Sequence, residues 1–110
     1  MRIYISGPIT GIPNYRKNFQ EAVANLRWRG YDNLINPAEI CEVLPPEHTT
    51  YEEYMSVAMD LLQMADAVVL LPGWEKSTGC NRELGYAMAT DKLILDYATI
   101  LEGGVQDGAI

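Results

Sequence analysis

The run Ala67–Leu71, AVVLL, constrains the fold more than any other part of this chain. Five consecutive apolar residues, two of them β-branched, suit a strand buried on both faces, and strands of that kind belong to parallel sheets covered by helices. The segments around it fit the same picture. Arg2–Ser6 reads as a short strand with Ile3 and Ile5 flanking Tyr4, and Gly7, Pro8, Gly11 and Pro13 then impose a loop. Asn14 is placed to cap a helix running to about Arg29, whose Phe19, Ala22, Val23 and Leu26 share one face, with Gly30 at the C′ position. Asn33–Asn36 is a brief second strand stopped by Pro37.

After an irregular stretch broken by Pro45 and Pro46, Thr50 and Glu53 form a capping box that opens a helix to about Ala65. Tyr54, Ala58, Leu61 and Ala65 form its expected core stripe. Beyond the AVVLL strand lie a loop, Pro72–Gly79, a helix over Cys80–Thr90 and a strand over Lys92–Tyr97, with a fifth strand possible in the tail. This order predicts a single doubly wound α/β domain over residues 1–110, flavodoxin- or Rossmann-like, with four to five parallel strands ordered 2-1-3-4(-5) and helices on both faces. In that order the crossovers leave strands 1 and 3 on opposite sides, and ligands bind beyond the carboxyl ends of those two strands. The loops following them, Gly7–Gly11 and Pro72–Gly79, both carry glycine. Topology and glycine placement therefore select the same crevice.

Composition narrows the function classes. A net charge of −7 argues against a nucleic-acid polymer as partner, because phosphate backbones demand a basic face. It leaves room for one small phosphorylated ligand held by backbone N–H groups and hydroxyls. No apolar run reaches the roughly 20 residues of a membrane span, and the N-terminus lacks a signal-peptide pattern. Cys41 and Cys80 lack CxxC or zinc spacing and read as reduced thiols, so a cytoplasmic location is expected. No metal-ligand cluster or cofactor motif is present, and no metal or cofactor is expected.

Several residues could carry chemistry. Glu83, in STGCNRELGYA, falls in the first turn of the helix expected from Cys80, where the helix N-terminus favours a carboxylate by roughly 0.3–1 kcal/mol. It reads either as an ordinary dipole complement or as an active anion. Asp60 projects away from the core stripe of its helix, yet Val57, Met59 and Met64 flank it, which suggests a second buried face, such as one against another subunit. Tyr4 reads as core, or as a hydroxyl that fixes the Glu83 rotamer. Ser77, Thr78 and Gly79 offer hydroxyls and free N–H groups at a helix start, equally a phosphate site or plain capping. Trp74 could stack on a flat ring or cover the sheet edge.

The segments IYISGPITG, MDLLQMADAVVLLPG and STGCNRELGYAMA, in this order and spacing, resemble the nucleoside 2-deoxyribosyltransferase superfamily and its 2′-deoxynucleoside 5′-phosphate N-hydrolases. The resemblance implies cleavage or transfer at the N-glycosidic bond of a 2′-deoxynucleoside. Glu83 would be the nucleophile, Asp60 the proton donor at the base and Tyr4 the residue that orients Glu83. Substrate contacts would come from Gly7, Pro8, Gly11, Gly73, Trp74, Ser77, Thr78 and Gly79. Ser77, six positions before the glutamate, tilts the expectation towards a 5′-monophosphate. Pro8, where phosphate-preferring members often carry serine, and the bulky Trp74–Lys76 segment depart from the pattern. So does the tail Gly103–Ile110, which offers no match to the segment that reaches a neighbouring site. The implied partners are a small nucleoside or nucleotide and further copies of the chain in a homo-oligomer with shared sites. Two other readings remain open: a ribonucleoside 5′-monophosphate phosphoribohydrolase, whose loop Pro72, Gly73, Thr78 and Glu83 loosely imitate, and a non-catalytic nucleotide-binding or sensor module.

Overall fold

In the computed structural model, residues 1–103 are described. They form a four-stranded, all-parallel sheet in the order β2-β1-β3-β4, built from β1 (Ile3–Ser6), β2 (Leu34–Ile35), β3 (Ala67–Leu70) and β4 (Leu93–Asp96). The helices are α1 (Tyr15–Trp28), α2 (Ile40–Val43), α3 (Tyr51–Gln63), α4 (Thr78–Ala89) and α5 (Tyr97–Gly103). The expected α/β fold and strand order are thus present, while the possible fifth strand lies outside the described residues. No helix among them is long and apolar enough to cross a membrane.

Strand alternation divides the core in two. Ile3, Ile5, Ala67, Val69 and Leu95 point to one face and pack against Phe19, Ala22 and Leu26 of α1 and Ile100 of α5. Tyr4, Val68 and Leu70 point to the other and pack against Ile40 of α2, Ala58 and Leu62 of α3, and Ala87 of α4. Every side chain of β1 and β3 is buried, which is why AVVLL shows no polar position. The helices that leave β1 and β3, α1 and α4, lie on opposite faces, so the carboxyl end of the β1–β3 pair opens into a crevice.

Local signals set most boundaries. Gly30 has φ +94° and ends α1 in a Schellman motif, with Gly30 N–H donating to Arg27 and Tyr31 N–H to Leu26. The Thr50–Glu53 capping box is reciprocal: Glu53 N–H donates to Thr50 Oγ1 (3.1 Å) and Thr50 N–H to Glu53 Oε1 (2.8 Å). Other boundaries differ from expectation. Asn14 precedes α1 without a side-chain capping bond. Residues 37–48 contain two 3₁₀ turns and α2, the first opened by Asn36 Oδ1, which accepts from Ala38 N–H at 3.0 Å. The last strand stops at Asp96, whose carboxylate accepts from both N–H and Oγ1 of Thr99, so the chain turns into α5. The inner stripe of α3 is rotated from the expected one: Met55, Ala58 and Leu62 are buried, while Tyr54 and Leu61 are half-buried.

Since the capping box satisfies two otherwise orphaned donors of α3, Thr50→Ala should lower unfolding free energy by about 1 kcal/mol. Urea denaturation would register this as a lower midpoint at unchanged slope.

Candidate active site

At the carboxyl end of β1 the side chains of Tyr4 and Ser6 lie on the same face, two residues apart, and both meet Glu83 of α4. Tyr4 Oη donates to Glu83 Oε2, and Ser6 Oγ donates to Glu83 Oε1 at 2.7 Å. Glu83 is 5% exposed, and Tyr4 and Ser6 are fully buried. Each carboxylate oxygen therefore holds one hydroxyl and keeps remaining lone-pair directions for a ligand.

Helix α4 begins earlier than expected. Ser77 Oγ accepts from Cys80 N–H at 3.2 Å, which brings Thr78 and Gly79 into the first turn. Glu83 consequently occupies the second turn, past the reach of the N-terminal dipole. The expected source of its negative charge is thereby replaced. Burial pushes the Glu83 carboxyl above the usual carboxylate range, and the hydroxyls of Tyr4 and Ser6 pull it back. Burial, then the adjacent Glu83 charge, pushes the Tyr4 phenol well above its ordinary value, so Tyr4 remains a donor. Burial and Glu83 likewise push Tyr54 upward.

Above Glu83 lies a cavity of about 340 Å³ whose walls include Tyr15, Tyr51, Tyr54, Met55, Leu44 and Cys41. It is mainly apolar and aromatic, with Glu83 as its one carboxylate among the described residues. Tyr51 is braced from outside by Arg82, whose guanidinium lies 5.6 Å from the ring centroid and pairs with Glu52 at 3.1 Å. Cys80 also faces this cavity, and burial pushes its thiol up, towards the protonated form. No group of three or more His, Cys, Asp or Glu side chains among the described residues could hold a metal ion.

The two glycine-containing loops do meet. A Cβ on Gly73, which has φ +90°, would come within 3.3 Å of Pro8 Cγ. At Gly7 a Cβ would lie 2.7 Å from Leu71 Cδ1, so a side chain there would have to displace Leu71. Of the other expected contacts, Gly7, Ser77 and Gly79 line the cavity over Glu83. Pro8, Gly73 and Thr78 line an adjoining one of about 900 Å³. Gly11 and Trp74 line neither; Trp74 is half-buried against the α3–α4 core. Asp60 is exposed on α3 and also lines neither, so a single chain does not bring it to Glu83.

Ser6 and the three tyrosine walls were not anticipated. The signal for Ser6 was present, since any side chain two residues from Tyr4 on a strand faces the same way. Tyr51 and Tyr54 are likewise one helical turn apart. Cys41 and Leu44 enter through the irregular segment, where no periodicity points to them.

A carboxyl raised on folding stabilises the fold below its unfolded value, near 4.5, and that contribution is lost as pH rises through the folded value. Glu83→Gln should therefore melt at higher temperature than the parent at pH 8, with the gap closing as pH falls to 4. Paired thermal melts across that range would check the sign.

No curated protein matches the chain in sequence. A family model described as a domain of unknown function, DUF4406, matches residues 1–96, which include Tyr4, Ser6 and Glu83, and the chain belongs to that family.

Proposed function

We propose that the protein cleaves, or transfers at, the N-glycosidic bond of a 2′-deoxynucleoside 5′-monophosphate through a covalent glycosyl–Glu83 intermediate. The observation that carries this reading is the buried Glu83 carboxylate, clasped by two hydroxyls and open to a cavity sized for one nucleoside. Clefts for small ligands span roughly 300–1,000 Å³.

A Glu83 oxygen attacks C1′ while the C1′–N bond breaks, leaving its electron pair on the departing base, which takes up a proton. Water then attacks C1′ and frees the carboxylate, and a proton from that water balances the one taken by the base. A second base in place of water gives transfer. This is the two-step logic of a retaining glycosidase. The absence of a 2′-hydroxyl on the sugar eases an oxocarbenium-like transition state, and the buried anion stabilises its positive charge. The aromatic walls suit a flat base. Ser77, whose Oγ accepts from Cys80 N–H and so can donate its own proton outward, lies with the N–H groups of the first α4 turn where a 5′-phosphate would sit.

Asp60 fits this scheme only across a subunit boundary. It shares the outer face of α3 with exposed Val57 and Met64, three residues before and four after it. That surface would bring the carboxylate to the base in a neighbouring chain's cleft.

The test is incubation of purified protein with each deoxynucleoside 5′-monophosphate, with ribonucleotides in parallel, following free base. Base release should depend on Glu83, and Glu83→Ala should lower it at least 1,000-fold, about 4 kcal/mol of barrier; undiminished turnover would remove the nucleophile role. Tyr4→Phe removes a bond that holds the Glu83 carboxyl down, so that group titrates higher. The acid limb of kcat/KM should shift to higher pH, and a limb that stays in place would show that Tyr4 does not tune Glu83.

A further inference from the structure

A mononucleotide leaves the larger part of the crevice unused. The cavity over Glu83 suffices for a nucleoside, yet it runs on through Thr10, Tyr51, Ser77 and Gly79, which line both spaces, into the groove of about 900 Å³. A lone 5′-phosphate at the start of α4 would occupy only the threshold of that groove.

The lining of the groove says what kind of group would fill it. Lys76 stands beside the α4 N-terminus, the one lysine or arginine on the groove wall among the described residues. From α1 come Asn18 and Glu21, three residues apart on one face, and Ile12 and Tyr97 supply apolar wall. Tyr97 is fixed by Asn25, whose Nδ2 donates to its hydroxyl at 2.8 Å. The wall thus combines a cation, an amide and a carboxylate with an aromatic ring. A carboxylate repels further phosphates but accepts from sugar hydroxyls, and Asn18 can donate and accept. The charge of −7 also disfavours a long polyanion.

We propose that the cleft takes a dinucleotide: one nucleoside over Glu83, the bridging phosphates at Lys76 and the α4 N-terminus, and a second nucleoside in the larger groove against Asn18, Glu21 and Tyr97. This rests on the reading of Glu83 above for which half is cleaved, but the affinity order is independent of cleavage. Adenine supplies convenient probes: dAMP, dADP, and 2′-deoxyadenosine joined 5′-to-5′ through a diphosphate to adenosine. A 3′–5′-linked oligodeoxyadenylate covers the polymer.

Calorimetric titration should give a dissociation constant for the dinucleotide at least tenfold below that of dAMP, with dADP gaining less than threefold. Asn18→Trp, which fills the groove from an exposed helix position, should weaken the dinucleotide about tenfold more than dAMP. Glu21→Lys should weaken the dinucleotide while tightening dADP. Equal affinity for dAMP and the dinucleotide overturns the proposal, as does dADP matching the dinucleotide, tighter binding of the oligodeoxyadenylate, or both variants leaving the affinity order intact. Absence of base release from every probe would instead count against Glu83 as nucleophile, and the affinities would still decide the dinucleotide.

Discussion

A carboxylate leaves water only if something replaces the water's hydrogen bonds. Here the replacement is a pair of hydroxyls on one face of a central strand, Tyr4 and Ser6, each serving one oxygen of Glu83. That clasp requires β1 to run beside β3 in register, with Tyr4 opposite Val68 and Ser6 opposite Leu70. It requires α4 to return over the same face, which the right-handed crossover from β3 to β4 provides. Ser77 caps that helix by accepting from Cys80 N–H. The sheet order, crossover hand and helix cap converge on one desolvated anion.

Fold and site were legible in the sequence to different depths. Strand order followed from the alternation of apolar runs with amphipathic segments, and the crevice from the loops after strands 1 and 3. Periodicity carries that information because burial is periodic. It carries less at element ends, where single hydrogen bonds decide: Ser77 drew two residues into α4, and Asp96 ended β4 by bonding Thr99. The first of these removed the helix-end account of Glu83's charge, leaving hydroxyls in its place. Asp60 shows another limit. Its unusual apolar neighbours were visible along the helix, but where that face leads lies outside a single chain's packing.

The site also shows a tension between stability and use. Glu83 would be more comfortable neutral, as burial makes plain, and two hydroxyls only partly offset that. A strained anion beneath an aromatic cavity is primed to meet positive charge, whether on a sugar ring in transit or elsewhere on a ligand. Arg82, one residue away in sequence, offsets it least of all, since its guanidinium turns outward to Glu52 and Tyr51.

The contact at Gly7 has a further consequence for how such a protein could diversify. With Leu71 and Phe19 pressed against the Gly7 backbone, and Gly73 against Pro8, the two loops at the mouth of the sheet form one interlocked floor. A bulkier residue at Gly7 or Gly73 meets its neighbour across this floor. The opposite wall, residues 37–50, consists of short turns linked by prolines and one four-residue helix, and touches Glu83 through no hydrogen bond among those described. Insertions and substitutions there can reshape the space above the anion while its position stays fixed. Evolution of ligand choice in this architecture therefore has one wall to work on and one to leave alone.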